Sequence, residues 1–185
     1  MALMESVGDQ LGTRLPAFAL GDPFGARHDS TRLSGPKGLL IAVTCNHCPY
    51  AIALWPRLIE LARDARRLGI GVVALNPNLN PAYPDDSPEA MKAKIQEWGI
   101  DFPYLIDEDQ QVARALKAQC TPEFYLYDAE AILVYHGRLD DNWKEPEGVT
   151  SEELRHAITS LAAGQAISPT QNPALGCSIK WRNDF

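Results

Sequence analysis

Leu39 to Val43 is an unbroken apolar run, and it leads through Thr44 into Cys45-Asn46-His47-Cys48 with Pro49 directly behind. A short run without polar alternation, preceded by the turn pair Gly35-Pro36, is expected to be a strand buried on both faces, from Leu39 to Thr44. Pro49 suits the first turn of a helix, and Ile52, Trp55, Ile59, Leu61 and Ala62 then recur at helical spacing. Strand, thiol pair and helix form the unit around which the remaining chain must fold. Pro56, inside the helical pattern, predicts a kink because it lacks an N–H and its ring clashes with the carbonyl four residues back.

A thiol attacks only as the thiolate, and the start of a helix stabilises that charge. Placing Cys45 to Cys48 between strand and helix is expected to put one sulfur at the helix N-terminus. The second, one turn on, can attack a mixed disulfide formed at the first. His47 is a polar neighbour expected to favour thiolate at Cys45 and make the pair more oxidising, the bland alternative being a histidine that only faces water. An isolated CxxC also resembles half a zinc site, and the strand before it and helix after it tip the reading toward redox chemistry.

The rest of the chain alternates strands and helices. An edge hairpin is expected around Gly21-Asp22-Pro23-Phe24-Gly25, and a second buried strand over Gly71 to Leu75. The segment "NPNLNPAYPDDSP" reads as a loop. Ser87-Pro88-Glu89 has the order N-cap, N1 and first-turn acid, and Gly99 is placed to close that helix. A strand near Tyr104 to Ile106 precedes a helix carrying Val112, Ala115 and Leu116. Phe124 to Tyr127 and Ile132 to Tyr135 read as a hairpin. Thr150-Ser151-Glu152-Glu153 fits a capping box for a helix presenting Leu154, Ile158 and Leu161 and ending at Gly164. The expected architecture is an α/β sandwich with a mixed central sheet, one domain over residues 1–164, and a tail over 165–185 that packs on it.

Composition excludes several classes. The net charge is −7 with 45% apolar and 22% charged residues. A globular core is therefore available, while a basic surface that tracks nucleic acid is not. No apolar run approaches the ~18 residues of a membrane span. The first residues lack the pattern of a secretory leader, so the expected compartment is the cytoplasm. In a reducing compartment the four cysteines are better suited to catalysis, redox sensing or metal binding than to a disulfide scaffold.

Thr121-Pro122 stands at the entry of a strand, where a cis peptide fits and where free backbone groups can pair with an extended substrate. "CNHCPY", "YPDDSPEAM", "FPYLIDEDQQVARAL", "CTPEFYLYD", "YHGRLDD" and "GCSIKW" together resemble the thioredoxin superfamily. The resemblance is to its redoxin, AhpC/TSA-like branch, related to peroxiredoxins and TlpA/ResA-type proteins, and within it to a peroxiredoxin-like bacterial group. It implies a thioredoxin-like sandwich with an N-terminal β-hairpin, Cys45 as attacking thiol, Cys48 as resolving partner and Pro122 as the cis-proline beside them. It implies no cofactor. Thioredoxin itself has Trp before its cysteines and Gly-Pro between them; here stand Thr44 and Asn46-His47. Leu39 replaces the buried aspartate that takes a proton from the second thiol, leaving Glu123 and His47 as candidates. The peroxiredoxin pattern P-x-x-x-T-x-x-C fails, with Leu40 and His47 at its proline and cysteine positions.

The expected activity is thiol-disulfide exchange on protein or small-molecule disulfides with a cellular dithiol reductant. Thiol-dependent peroxide reduction is the second reading, and a zinc or copper module of Cys45, Cys48, Cys120 and Cys177 a third. Cys120 is expected at the rim of the site. Cys177, in a tail folded back over the domain, is expected to reach Cys120 or the CxxC pair as a relay, the alternative being two small buried hydrophobes. The four tryptophans are expected to be core and tail anchors. The runs Asp85-Asp86 and Asp140-Asp141 are expected in solvated loops, and His28, His136 and His156 away from any metal.

Overall fold

The computed structural model describes residues 3–8 and 10–182. Its central sheet has seven strands in the order β3 (Arg27–Asp29), β2 (Ala19–Gly21), β6 (Tyr104–Ile106), β5 (Ile70–Asn76), β4 (Gly38–Val43), β8 (Glu123–Asp128), β9 (Leu133–Gly137). A bond from the Thr44 N–H to the Leu75 carbonyl joins its two halves. Strands β5 and β6 are parallel, whereas β2–β3, β2–β6, β4–β8 and β8–β9 are antiparallel, so the sheet is mixed as expected. The hairpin β2–β3 lies at one edge.

Why β4 shows no alternation is visible in its packing. Leu40 and Ala42 face the cluster holding Trp55, Leu58, Leu154 and Ile158. Leu39, Ile41 and Val43 face the opposite cluster with Val112, Leu116 and Ile179. All five β4 side chains from Leu39 to Val43 are 0% exposed. Period-two geometry sends neighbours to opposite faces, and because helices cover both, each position must be apolar. Helices α2 (Pro49–Arg67) and α5 (Glu153–Ala162) supply the first layer, and α4 (Gln111–Ala115) belongs to the second.

Local signals hold where a short-range partner decides them. The Ser87 hydroxyl accepts from the Ala90 N–H to start α3 (Pro88–Trp98), and Gly99, at φ 66°, closes it in the left-handed region. Helix α2 continues through Pro56; the carbonyl it leaves without a donor belongs to Ile52, which is 43% exposed. One expectation fails. The capping box does not form, because Glu152 is the N-cap of α5 and the Thr150 hydroxyl is instead engaged by the Asp141 carboxylate.

The tail lies down on the domain. Its strand β10 (Leu175–Ser178) is sandwiched between β1 (Leu3–Glu5) and β7 (Cys120–Thr121), antiparallel to both. Ile179 enters the core, Ser6 and Ala174 exchange two bonds, and the Lys180 and Arg182 backbone is held by Asn78 and Gln110. Trp55 is buried and Trp98, Trp143 and Trp181 pack partly buried against the core, the anchoring role expected of them. Among the described residues no helix is long and apolar enough to cross a membrane.

Candidate active site

The CxxC segment bends between β4 and α2, and the helix begins at Pro49, as the spacing suggested. Pro49 is its first residue and Cys48 its N-cap, with backbone in the extended region, so Cys48 rather than Cys45 stands at the positive end of the helix. Opposite it is the Thr121–Pro122 bond, which is cis as expected. All four cysteines are reduced and buried, with Cys45, Cys48 and Cys120 0% exposed and Cys177 3%. Cys45, Cys48 and Cys177 cluster together with Ala51, and Tyr50 packs over them.

Cys48 is the hub of this cluster. Its Sγ lies 2.7 Å from Cys177 Sγ and 3.1 Å from the Thr121 carbonyl oxygen. It also accepts from the Cys45 thiol and from the backbone N–H groups of Ala51 and Cys177. The Thr121 carbonyl, which can only accept, favours the protonated sulfur; two thiols and two backbone N–H groups favour the thiolate. Donors outnumber the acceptor, and the Cys48 pKa is lowered to about 5, chiefly by the Cys45 thiol and against the cost of burial. The Cys45 pKa moves the opposite way. Burial, donation to Cys48 and the Asp86 charge raise it well above the ordinary thiol value, and the Thr121 hydroxyl at 3.2 Å only partly compensates. Burial and donation to Cys48 likewise raise Cys177 to about 12. The expectation from sequence placed the thiolate at Cys45, whereas in the structure the stabilising groups converge on Cys48.

His47 does not act on Cys45 as a free positive neighbour, because its Nδ1 is hydrogen-bonded to the Asp86 carboxylate. Its ring stacks on Tyr83 at 4.3 Å, and its Nε2 is buried without a partner. Asp86 was expected in a solvated loop and is instead 0% exposed. Its Oδ1 accepts from the Asn46 N–H at 2.6 Å and the Asn76 amide at 3.0 Å. The Asn46 side chain donates to the Asp85 carbonyl and accepts from the Tyr104 hydroxyl, which fixes the turn between the cysteines. Asp86, Asn76 and Tyr104 are thus site residues that composition and spacing did not single out. The motif "YPDDSP" contained one of them without disclosing its role. Asp140 is also buried rather than solvated, paired with Arg57.

Cys120 is close in sequence to Pro122 but does not face the thiol cluster as a rim residue would. It is wholly buried, and its Sγ donates to Glu123 at 3.7 Å. The Glu123 carboxylate accepts from the Gln119 and Cys120 N–H groups, the Tyr125 hydroxyl and His136. That set of partners beneath the cis-proline makes Glu123 an internal anchor for Cys120 rather than a proton acceptor for Cys48. Among the described residues, the donors that come together as a metal could require are Cys45, His47 and Asp86, within 4.8 Å of one another, and not four thiols.

Comparison with known proteins agrees with this geometry. The chain aligns along its whole length with an uncharacterized conserved protein of Geobacillus kaustophilus, at 39% identity and a TM-score of 0.94, covering 99% of that structure. A hypothetical protein of Sinorhizobium meliloti 1021 matches at 38% identity and a TM-score of 0.91, over 97% of this chain and 99% of the other. The thiol-disulfide oxidoreductase ResA of Bacillus subtilis is 24% identical over 157 residues, 85% of this chain and 77% of ResA. The AhpC/TSA family model matches residues 11–136. By that match and by its thioredoxin-like sandwich, the chain belongs to the AhpC/TSA family, within the redoxin-like branch of the thioredoxin superfamily.

Proposed function

We propose that the protein is a thiol-disulfide oxidoreductase working through a dithiol/disulfide cycle of Cys45 and Cys48. The observation that carries this is the convergence of donors on Cys48 at the start of α2, opposite the cis Thr121–Pro122 bond. In the reducing direction the Cys48 thiolate attacks one sulfur of a substrate disulfide, and the other leaves as a thiolate. The Cys45 thiol then loses its proton and attacks Cys48 Sγ, releasing the second substrate thiolate and closing the Cys45–Cys48 bond. Two electrons pass to the substrate, and a cellular dithiol returns them. His47, held by Asp86 next to Cys45, is the group positioned to exchange that proton. A cleft of about 200 Å³ lined by Leu54, Pro122, Asp140, Trp143 and Leu175 opens beside the cis-proline and offers a path for substrate. The cysteine usage supports a reducing, cytoplasmic setting.

Family membership favours a second reading, peroxide reduction. There the Cys48 thiolate takes one oxygen to become a sulfenic acid, and Cys45 displaces water from it to form the same internal disulfide.

Trapping decides the roles. Reduced Cys45→Ser and Cys48→Ser variants, both in a Cys177→Ser background, are mixed with a disulfide substrate such as insulin, quenched in acid and analysed by mass. A stable mixed disulfide on Cys48 in the first variant and little in the second is expected. An adduct on Cys45 in Cys48→Ser alone would restore the order suggested by the sequence, and no adduct in either would remove the exchange reading. Parallel peroxide consumption with a dithiol reductant separates the two substrate classes.

A further inference from the structure

We infer that Cys177 is a third redox thiol of this centre, and that β10 occupies the backbone edge beside the cis-proline as a resident substrate whose sulfur pairs with Cys48. This rests on the exchange chemistry proposed above and extends it to which sulfurs bond.

The edge in question is β7, whose residues Cys120 and Thr121 immediately precede Pro122. In an oxidoreductase this is where an extended peptide would add as a strand. Here it is already filled: Cys177 is in register with Thr121 and Ser178 with Cys120, antiparallel. The approach is close enough that a Cβ on Gly176 would collide with the Thr121 carbonyl, so β10 passes at a point where only glycine fits. The pairing delivers Cys177 Sγ to 2.7 Å from Cys48 Sγ. A disulfide closes at ~2.05 Å, so the two sulfurs lie within roughly 0.7 Å of bonding distance. Cys48 is thus flanked by two thiols, Cys45 from its own turn and Cys177 from the tail, both of which favour its ionised form. Lys180, two residues along the tail beyond Ser178, is a positive charge that favours the Cys177 thiolate. Anchors at Ala174 on one side and at Ile179 and Lys180 on the other hold the strand in place.

The exchange step balances without any further oxidant. Starting from the Cys45–Cys48 disulfide, Cys177 loses its proton and attacks Cys48 Sγ. The Cys48–Cys177 bond forms, the Cys45–Cys48 bond breaks, and Cys45 leaves as a thiolate and takes up a proton. Its buried position beside Asp86, which disfavours the thiolate, makes protonation the outcome. No electrons are gained or lost overall. The product ties the tail covalently to the start of α2 and leaves Cys45 as the free thiol.

The test uses the full chain, reduced and then exposed to stoichiometric oxidised glutathione, quenched in acid, alkylated, digested and mapped by mass. Wild type is expected as a mixture of molecules carrying either Cys48–Cys177 or Cys45–Cys48, and Cys177→Ser only Cys45–Cys48. Cys45→Ser is expected to close Cys48–Cys177 and to clear the glutathione adduct from Cys48 on the order of 100-fold faster than Cys45→Ser/Cys177→Ser. Gly176→Val keeps every cysteine but pushes β10 off its edge, and should lose Cys48–Cys177 while retaining Cys45–Cys48. Wild type with Cys45–Cys48 alone, and a lasting adduct on Cys48 in Cys45→Ser, would overturn the inference and leave the two-cysteine cycle standing. Absence of any internal disulfide in both wild type and Cys177→Ser would sink the exchange chemistry and this inference with it. The Cys45→Ser comparison decides the matter even where Gly176→Val does not fold.

Discussion

If Cys48 is held as a thiolate by two thiol donors, removing either donor must raise its pKa by a calculable amount. The lowering from the ordinary value of 9.0 to about 5 changes the state of the sulfur at neutral pH. Roughly 99% is ionised at pH 7, against about 1% for an unperturbed thiol. A hydrogen bond to a charged group contributes ~1.5–3 kcal/mol, or about 1–2 pKa units. Cys45→Ala and Cys177→Ala should therefore each move the midpoint of Cys48 to about 6–7, and together further. Alanine is the substitution to use, since a serine hydroxyl would still donate. Ultraviolet thiolate absorbance of the reduced protein, titrated from acid to neutral pH, reads the midpoint without needing access to a buried sulfur. Cys48→Ser should abolish the transition. The same shift makes stability depend on pH with a definite sign. Unfolded Cys48 holds its proton up to about pH 9 and the folded form releases it near pH 5, so the contribution grows as pH rises between them and is lost as pH falls through about 5. A wild-type protein with no thiolate below pH 7, or alanine variants with an unmoved midpoint, would refute the convergence of donors on Cys48.

Three further outcomes are expected. Asp86→Asn removes the negative charge beside Cys45, so in a Cys48→Ala/Cys177→Ala background the Cys45 pKa should fall, visible as faster alkylation at fixed pH; an unchanged rate would show that burial alone sets it. Glu123→Ala leaves Cys120, Tyr125 and His136 without their common acceptor and should cost about 3–5 kcal/mol in denaturant unfolding, while a loss under 1 kcal/mol would contradict its anchoring role. Trp55, 1% exposed and packed against Trp98, Phe102 and Tyr104, should cost about 3–5 kcal/mol on replacement by alanine by the same measurement, and a smaller loss would mean the core relaxes around the vacancy.

What could be read from the residues alone follows how far each interaction reaches along the chain. The apolar run of β4, the Ser87 cap and the Gly99 stop depend on neighbours within a few positions, and each appears where expected. The cis Thr121–Pro122 bond was legible through the resemblance, since Thr-Pro by itself is common. Asp86 was not, because an acidic pair in a proline-rich loop is normally hydrated. Its burial arises only when that loop folds back under Asn46 and Asn76, which are 40 and 10 positions away. Thr150 failed as a cap for a similar reason, its hydroxyl finding Asp141 across the loop. The division of charge between Cys45 and Cys48 was hidden at a finer scale. With the helix starting at Pro49, as the spacing predicts, Cys48 is its N-cap, and spacing alone does not say which of the two sulfurs meets the donors there.

The placement of β10 also orders events in time. The ribosome makes Cys45 and Cys48 long before Leu175–Ser178, so every newly made molecule passes through an interval in which the pair is uncovered and its neighbouring edge is vacant. During that interval any extended segment nearby can pair with the vacant edge, and arrival of β10 fills it.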